Sequence, residues 1–86
     1  MKTLHLDILT PEKEVFGGDV QSVTVPGRKG VFTVLPMHAP IISSLGSGSV
    51  TYVDTDGKEQ KVEVEKGFVE VNSDNVTVCV ELHSEI

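Results

Sequence analysis

The sequence has no tryptophan, one tyrosine and three phenylalanines in 86 residues, so its interior cannot be organised around stacked aromatic rings. Aliphatic side chains must fill most of it, with Phe16, Phe32 and Phe68 expected as its large anchors. The single cysteine, Cys79, excludes an intramolecular disulfide and a cysteine-based zinc site, and fits a small strand residue in a reducing compartment. No apolar run approaches the ~18–20 residues of a membrane-spanning helix, and Met1-Lys2-Thr3 leads directly into alternating residues without a secretory pattern. Basic residues are few, 7 against 13 acidic ones, for a formal net charge of −6. That balance argues against nucleic-acid binding, which depends on lysine and arginine displacing counterions from phosphate. Helical rhythm is missing as well: nowhere do apolar residues hold an i, i+3, i+4, i+7 spacing over three turns, so no substantial helix is predicted. With no linker, repeat or low-complexity tract, residues 1–86 read as one small domain.

What remains is alternation. Leu4, Leu6 and Ile8 alternate with Thr3, His5 and Asp7; Val50 and Tyr52 with Ser49 and Thr51; Val62 and Val64 with Lys61, Glu63 and Glu65; and Val76, Val78, Val80 and Leu82 with Thr77, Cys79 and Glu81. Each run has the period of a strand with one dry and one wet face. Between them lie turn-forming residues: Gly17-Gly18 and Pro26-Gly27, which are expected to break the early strands, then Gly46-Ser47-Gly48-Ser49, Asp56-Gly57 and Asn72-Ser73-Asp74-Asn75. Many short strands with regularly spaced turns predict an all-β chain, a flattened antiparallel sandwich of two packed sheets.

Chemical motifs are mostly excluded. Ser43 or Ser44 with His38 and an aspartate could be written down as a triad, but no Gly-x-Ser-x-Gly elbow is present to expose a serine. His5, His38 and His83 do not have metal-ligand spacing. Asp54-Thr55-Asp56-Gly57 opens like a calcium loop yet lacks the later ligands, and reads as a hairpin turn. Gly27-Arg28-Lys29-Gly30 is not a phosphate cradle, because a strand and not a helix follows it. That loop is either a solvated hairpin tip or a small basic contact. No cofactor is implied.

The densest local signal is Gly30-Val31-Phe32-Thr33-Val34-Leu35-Pro36-Met37-His38-Ala39-Pro40. Phe32 and Val34 alternate with Val31 and Thr33, Leu35 adds one further apolar contact, and Pro36 stops the ladder. Pro40 pushes Ala39 toward extended geometry, so His38 is held in a connection that two prolines restrict. Ile41-Ile42-Ser43-Ser44-Leu45 then has too many apolar residues for one inward face. That segment is either a strand buried on both sides or one that offers an apolar face to a partner.

The glycine, the aromatic strand and the Leu-Pro-x-His-x-Pro turn together resemble the epsilon subunit family of the F-type ATP synthases. The resemblance extends from Leu4-His5-Leu6-Asp7-Ile8-Leu9-Thr10-Pro11-Glu12 through Val15-Phe16-Gly17-Gly18 and Val23-Thr24-Val25-Pro26-Gly27. It resumes at Gly67-Phe68-Val69-Glu70-Val71 and Asn75-Val76-Thr77-Val78. It implies the amino-terminal β-sandwich of that family, about ten short strands, in a non-catalytic rotor subunit of the central stalk. The implied partners are the gamma subunit and the membrane rotor (c) ring, with a transient contact to the catalytic alpha and beta subunits. The implied location is the cytoplasmic face of the bacterial inner membrane, without insertion. Carried over by position, Thr10, His38, Ala39, Ile42 and Ser43 are candidate gamma contacts, and Arg28, Lys29, Gly30 and Val31 candidate ring contacts. The helical hairpin that many members carry after the sandwich has no counterpart before Ile86, so restraint of the motor by that hairpin is not expected. A free-standing β-sandwich binding module with no motor is the alternative.

Overall fold

The computed structural model describes residues 2–83, and every regular element among them is a β-strand. The ends of the 1–86 span, residues 1 and 84–86, lie outside the described residues. In chain order the strands are β1 (Leu4–Leu9), β2 (Glu14–Gly27), β3 (Gly30–Val34), β4 (Ile41–Leu45), β5 (Gly48–Asp54), β6 (Glu59–Asn72) and β7 (Asn75–Leu82). Seven strands stand where about ten were expected, because β2 and β6 each run for 14 residues and serve both layers of the sandwich.

One layer places the second half of β6 between β4 and β7, with β1 beyond β7 and the first half of β2 beyond β1. The other holds β3, the second half of β2, β5 and the first half of β6. A strand that crosses between layers must keep turning one side toward the core, and the buried sets show how this is done. In β2 the inward phase runs through Phe16 and Val20, then changes to Val23 and Val25, with a register shift between Val20 and Ser22. In β6 it runs through Val62 and Val64, then changes to Val69 and Val71, with a shift between Val64 and Lys66. One extra residue exchanges the inward and outward sets, and the accompanying bend carries the strand across.

Gly17-Gly18 does not break β2; the two glycines pair with Asp7 and Leu6 in mid-strand. A Cβ on Gly18 would lie 3.3 Å from the Phe16 ring, so bare backbone leaves room for that ring, whereas one on Gly17 would meet only the movable side-chain ends of Glu14 and Asp7. All pairings are antiparallel except β1 with β7. These two strands come from opposite ends of the chain and share no hairpin, which leaves parallel pairing open to them.

The core is aliphatic, built on Leu4, Leu6, Ile8 and Leu45 with valines from β2, β3, β5, β6 and β7. The phenylalanines are not its anchors. Phe16 and Phe32 pack against its margin, Phe16 with its ring centroid 4.4 Å from that of Tyr52, while Phe68 is 47% exposed. Phase decides this: with Val69 and Val71 inward, Phe68 and Glu70 must point out. Leu35, expected to add an apolar contact, lies beyond the end of β3 and is 55% exposed.

Candidate functional site

The corner between β3 and β4 is a tight turn in which His38 N–H donates to the Leu35 carbonyl at 3.1 Å. Pro36 occupies the second position, where its fixed φ is favourable, and Met37 the third, with φ +69° as a type II turn requires. Met37 N–H donates to Asp74 Oδ1 at 2.6 Å. Asp74 lies in the two-residue turn between β6 and β7, and its own carbonyl accepts the His5 N–H at 2.9 Å. Three chain segments are thus tied at one end of the sandwich.

His38 Nδ1 lies 2.7 Å from the Ala39 carbonyl. A carbonyl only accepts, so Nδ1 carries the proton and Nε2 of the neutral ring is an acceptor. Ala39 is exposed beside it, and Ile42 on β4 is 73% exposed, so this strand is not buried on both sides. Ile41 and Leu45 face the core and Ser43 shares their phase, its hydroxyl donating to the Ser44 carbonyl at 3.3 Å. Ile42 and Ser43 therefore belong to opposite faces of the strand. The paper triad is not assembled: the recorded partners of His38 and Ser43 are backbone carbonyls.

Thr10 is not at this corner. β1 starts beside the β6–β7 turn and ends at Leu9, opposite Cys79, so Thr10 sits at the far end of the same layer. There it lines a shallow groove of about 550 Å³ with Leu9, Phe68, Cys79, Arg28 and Lys66. The groove and the corner share one outward surface. Ile42, Glu70, Thr77 and Asp7 form one rung across four strands, and Ser44, Phe68, Cys79 and Leu9 form the next. Sequence reasoning missed Leu35, Met37 and Phe68 as surface apolar groups. The signal for Phe68 was present in the valine phase, whereas those for Leu35 and Met37 depend on how the corner folds.

Arg28 and Lys29 form the exposed turn between β2 and β3, closed by the Gly27–Gly30 pair. A Cβ on Gly27 would come 2.7 Å from the Gly30 carbonyl oxygen, which explains the glycine there. Val31, on the edge strand β3, is 73% exposed. Arg28 N–H donates to the Ser44 carbonyl at 3.1 Å and Gly46 N–H to the Pro26 carbonyl at 2.9 Å, so the tip is fastened to the end of β4. Among the described residues, no group of three or more His, Cys, Asp or Glu side chains is placed to hold a metal ion.

Residues 3–83 match the family model described as the ATP synthase delta/epsilon chain, beta-sandwich domain. The ATP synthase epsilon chain of Maricaulis maris is 44% identical over 78 residues, covering 91% of this chain and 58% of that protein. That of Nitratiruptor sp. is 44% identical over 81 residues, covering 94% and 63%. The chain thus spans about three-fifths of the length of these relatives. Among solved structures, a chain of the Euglena gracilis mitochondrial ATP synthase superposes with a TM-score of 0.86 at 20% identity, covering 91% of this chain and 50% of that one. A chain from the central stalk and c-ring of the Tetrahymena thermophila enzyme gives 0.77 at 14% identity, covering 93% and 64%. The likeness of fold agrees with the sequence match, and the chain belongs to the ATP synthase delta/epsilon chain family, whose β-sandwich domain it carries.

Proposed function

We propose that this chain is a non-catalytic central-stalk subunit of a proton-translocating F-type ATP synthase, coupling rotation to nucleotide chemistry performed elsewhere. The corner with His38 and Ala39, together with Ile42, meets the gamma subunit, and the Arg28 to Val31 tip meets the rotor ring. Thr10 extends the gamma surface along the outer face, and Ser43 supports it from the inner side of β4. The observation that carries the reading is the 73% exposure of Ile42 on a strand whose alternate residues face the core. An isoleucine in that position serves a partner better than it serves water.

Stiffness between the two surfaces comes from β4, which starts at the corner with Ile41 and ends at Leu45 opposite Gly27. Its five residues span about 13 Å between the end Cα atoms, and ladder bonds to β6 keep that strut from bending. A rotor element should transmit torque through such a path. Arg28 and Lys29 supply positive charge at the tip of an otherwise acidic chain, suited to carboxylates or carbonyls on the ring. The sandwich acts as one body on the cytoplasmic face of the bacterial inner membrane, with transient contact to the alpha and beta subunits.

Co-purification with gamma and the rotor ring tests this. Wild type is compared with Ile42→Glu and with Arg28→Glu plus Lys29→Glu, each checked for an unchanged thermal midpoint. Ile42→Glu should lose gamma, and the charge reversal should lose the ring while keeping gamma. Retention of both variants at wild-type levels removes the interface assignment. Failure of the wild-type chain to join the complex removes the function.

A further inference from the structure

We propose that Asp74 is a positioning residue that holds Met37 in a left-handed conformation, so that the Met37 side chain becomes part of the gamma-contact surface. The inference rests on the reading that this corner faces gamma. Met37 has φ +69°, a region in which a side chain is strained and glycine is not. Glycine would satisfy the turn without strain, so the turn itself does not call for a methionine. It does not serve the core: Met37 is 74% exposed and takes no part in the buried cluster. Two further apolar residues at this end of β3 and β4 are exposed, Leu35 at 55% and Ile42 at 73%. An unbranched thioether chain can adapt to an irregular partner surface.

The conformation is held from outside the turn. The 2.6 Å bond from Met37 N–H to Asp74 Oδ1 is charge-assisted. Asp74 is itself fixed, in a two-residue hairpin turn with φ +64° and with its carbonyl accepting from His5. The carboxylate is therefore presented by a rigid element to a strained one. Backbone strain that the surroundings over-determine is the pattern expected where a side chain has to be displayed in one direction.

Four variants of the chain separate display from folding: Met37→Gly, Asp74→Gly, Asp74→Asn, and Met37→Gly combined with Asp74→Gly. Glycine at position 74 keeps the hairpin turn and removes only the carboxylate, whereas asparagine keeps an acceptor oxygen. Each is titrated with purified gamma by calorimetry, melted, and compared through the Met37 amide resonance where that residue is intact. Met37→Gly should melt no lower than wild type yet bind gamma about tenfold more weakly. Asp74→Gly should shift the Met37 amide upfield and weaken binding about three- to tenfold, while Asp74→Asn stays within about twofold of wild type. The double variant should bind like Met37→Gly alone, because no side chain is left to position. Wild-type affinity in either Met37→Gly or Asp74→Gly overturns the inference and leaves the gamma reading intact. Absence of gamma binding by the wild-type chain overturns that reading, and the partner role of Met37 with it.

Discussion

Gly67→Ala is expected to be among the most damaging single-methyl additions in the chain. Gly67 follows the bulge of β6 and pairs with Val80 on β7. An added Cβ would lie 2.1 Å from the Cys79 carbonyl oxygen and 2.8 Å from Val80 Cα, where ordinary contact begins near 3.4 Å. Both atoms are backbone, so no rotamer change relieves the overlap. β6 and β7 would have to part by about 1.3 Å, the difference between 3.4 and 2.1 Å, which stretches the adjacent ladder bonds beyond hydrogen-bonding range. Loss of two or three such bonds, at about 1 kcal/mol net each, gives a destabilisation of about 2–3 kcal/mol. For a domain of this size total stability is about 4–13 kcal/mol, and the melting midpoint should fall by roughly 10–20 °C. Urea denaturation followed by far-ultraviolet circular dichroism measures it. Gly46→Ala is the control, since its Cβ would meet only Arg28 Cγ at 3.9 Å, and it should stay within about 0.5 kcal/mol of wild type. A loss below about 1 kcal/mol for Gly67→Ala would refute the close approach of these strands.

The phase of β6 predicts that Val69→Ala costs about 2–3 kcal/mol and Phe68→Ala less than about 1, despite the larger side chain; the reverse order in chemical denaturation would place Phe68 in the core. Ser73 has φ +50° at the first turn position between β6 and β7, and Ser73→Asn should raise stability by about 0.5 kcal/mol, because asparagine tolerates that region better; a lower melting midpoint would count against the assigned turn. Burial, and then the Asp54 carboxylate, push the Tyr52 phenol above its ordinary pKa of 10.0. The unfolded chain ionises this tyrosine first, so the folded state loses stability as pH rises past 10, and Tyr52→Phe should reduce that loss. Ultraviolet titration showing normal tyrosinate formation in the folded protein would remove the effect.

Much of the fold was legible because strand period is a property of neighbouring residues. Val76, Val78 and Val80, like Leu4, Leu6 and Ile8, declare an inward face wherever they pair, and Asp56-Gly57 and Asn72 to Asn75 mark hairpins through local φ preferences. Even the two layer crossings are written in β2 and β6 as a change of valine phase. The length of those strands was harder to read, since Gly17-Gly18 looks like a break until its pairing with Asp7 and Leu6 on β1 is seen.

The aliphatic β-sandwich, its family and the proline corner carrying His38 are local properties of the chain, because they depend on periodicity, composition and fixed φ. Which residues share a surface is a matter of how the folded strands pair. The fold separated Ile42 from Ser43 by strand phase, and it placed Thr10 beside Arg28 through the parallel β1–β7 pairing. It also turned Phe68 outward and brought Asp74 to Met37, 37 residues away, through a single hydrogen bond. Such juxtapositions depend on pairing between distant segments, and local preference does not encode it.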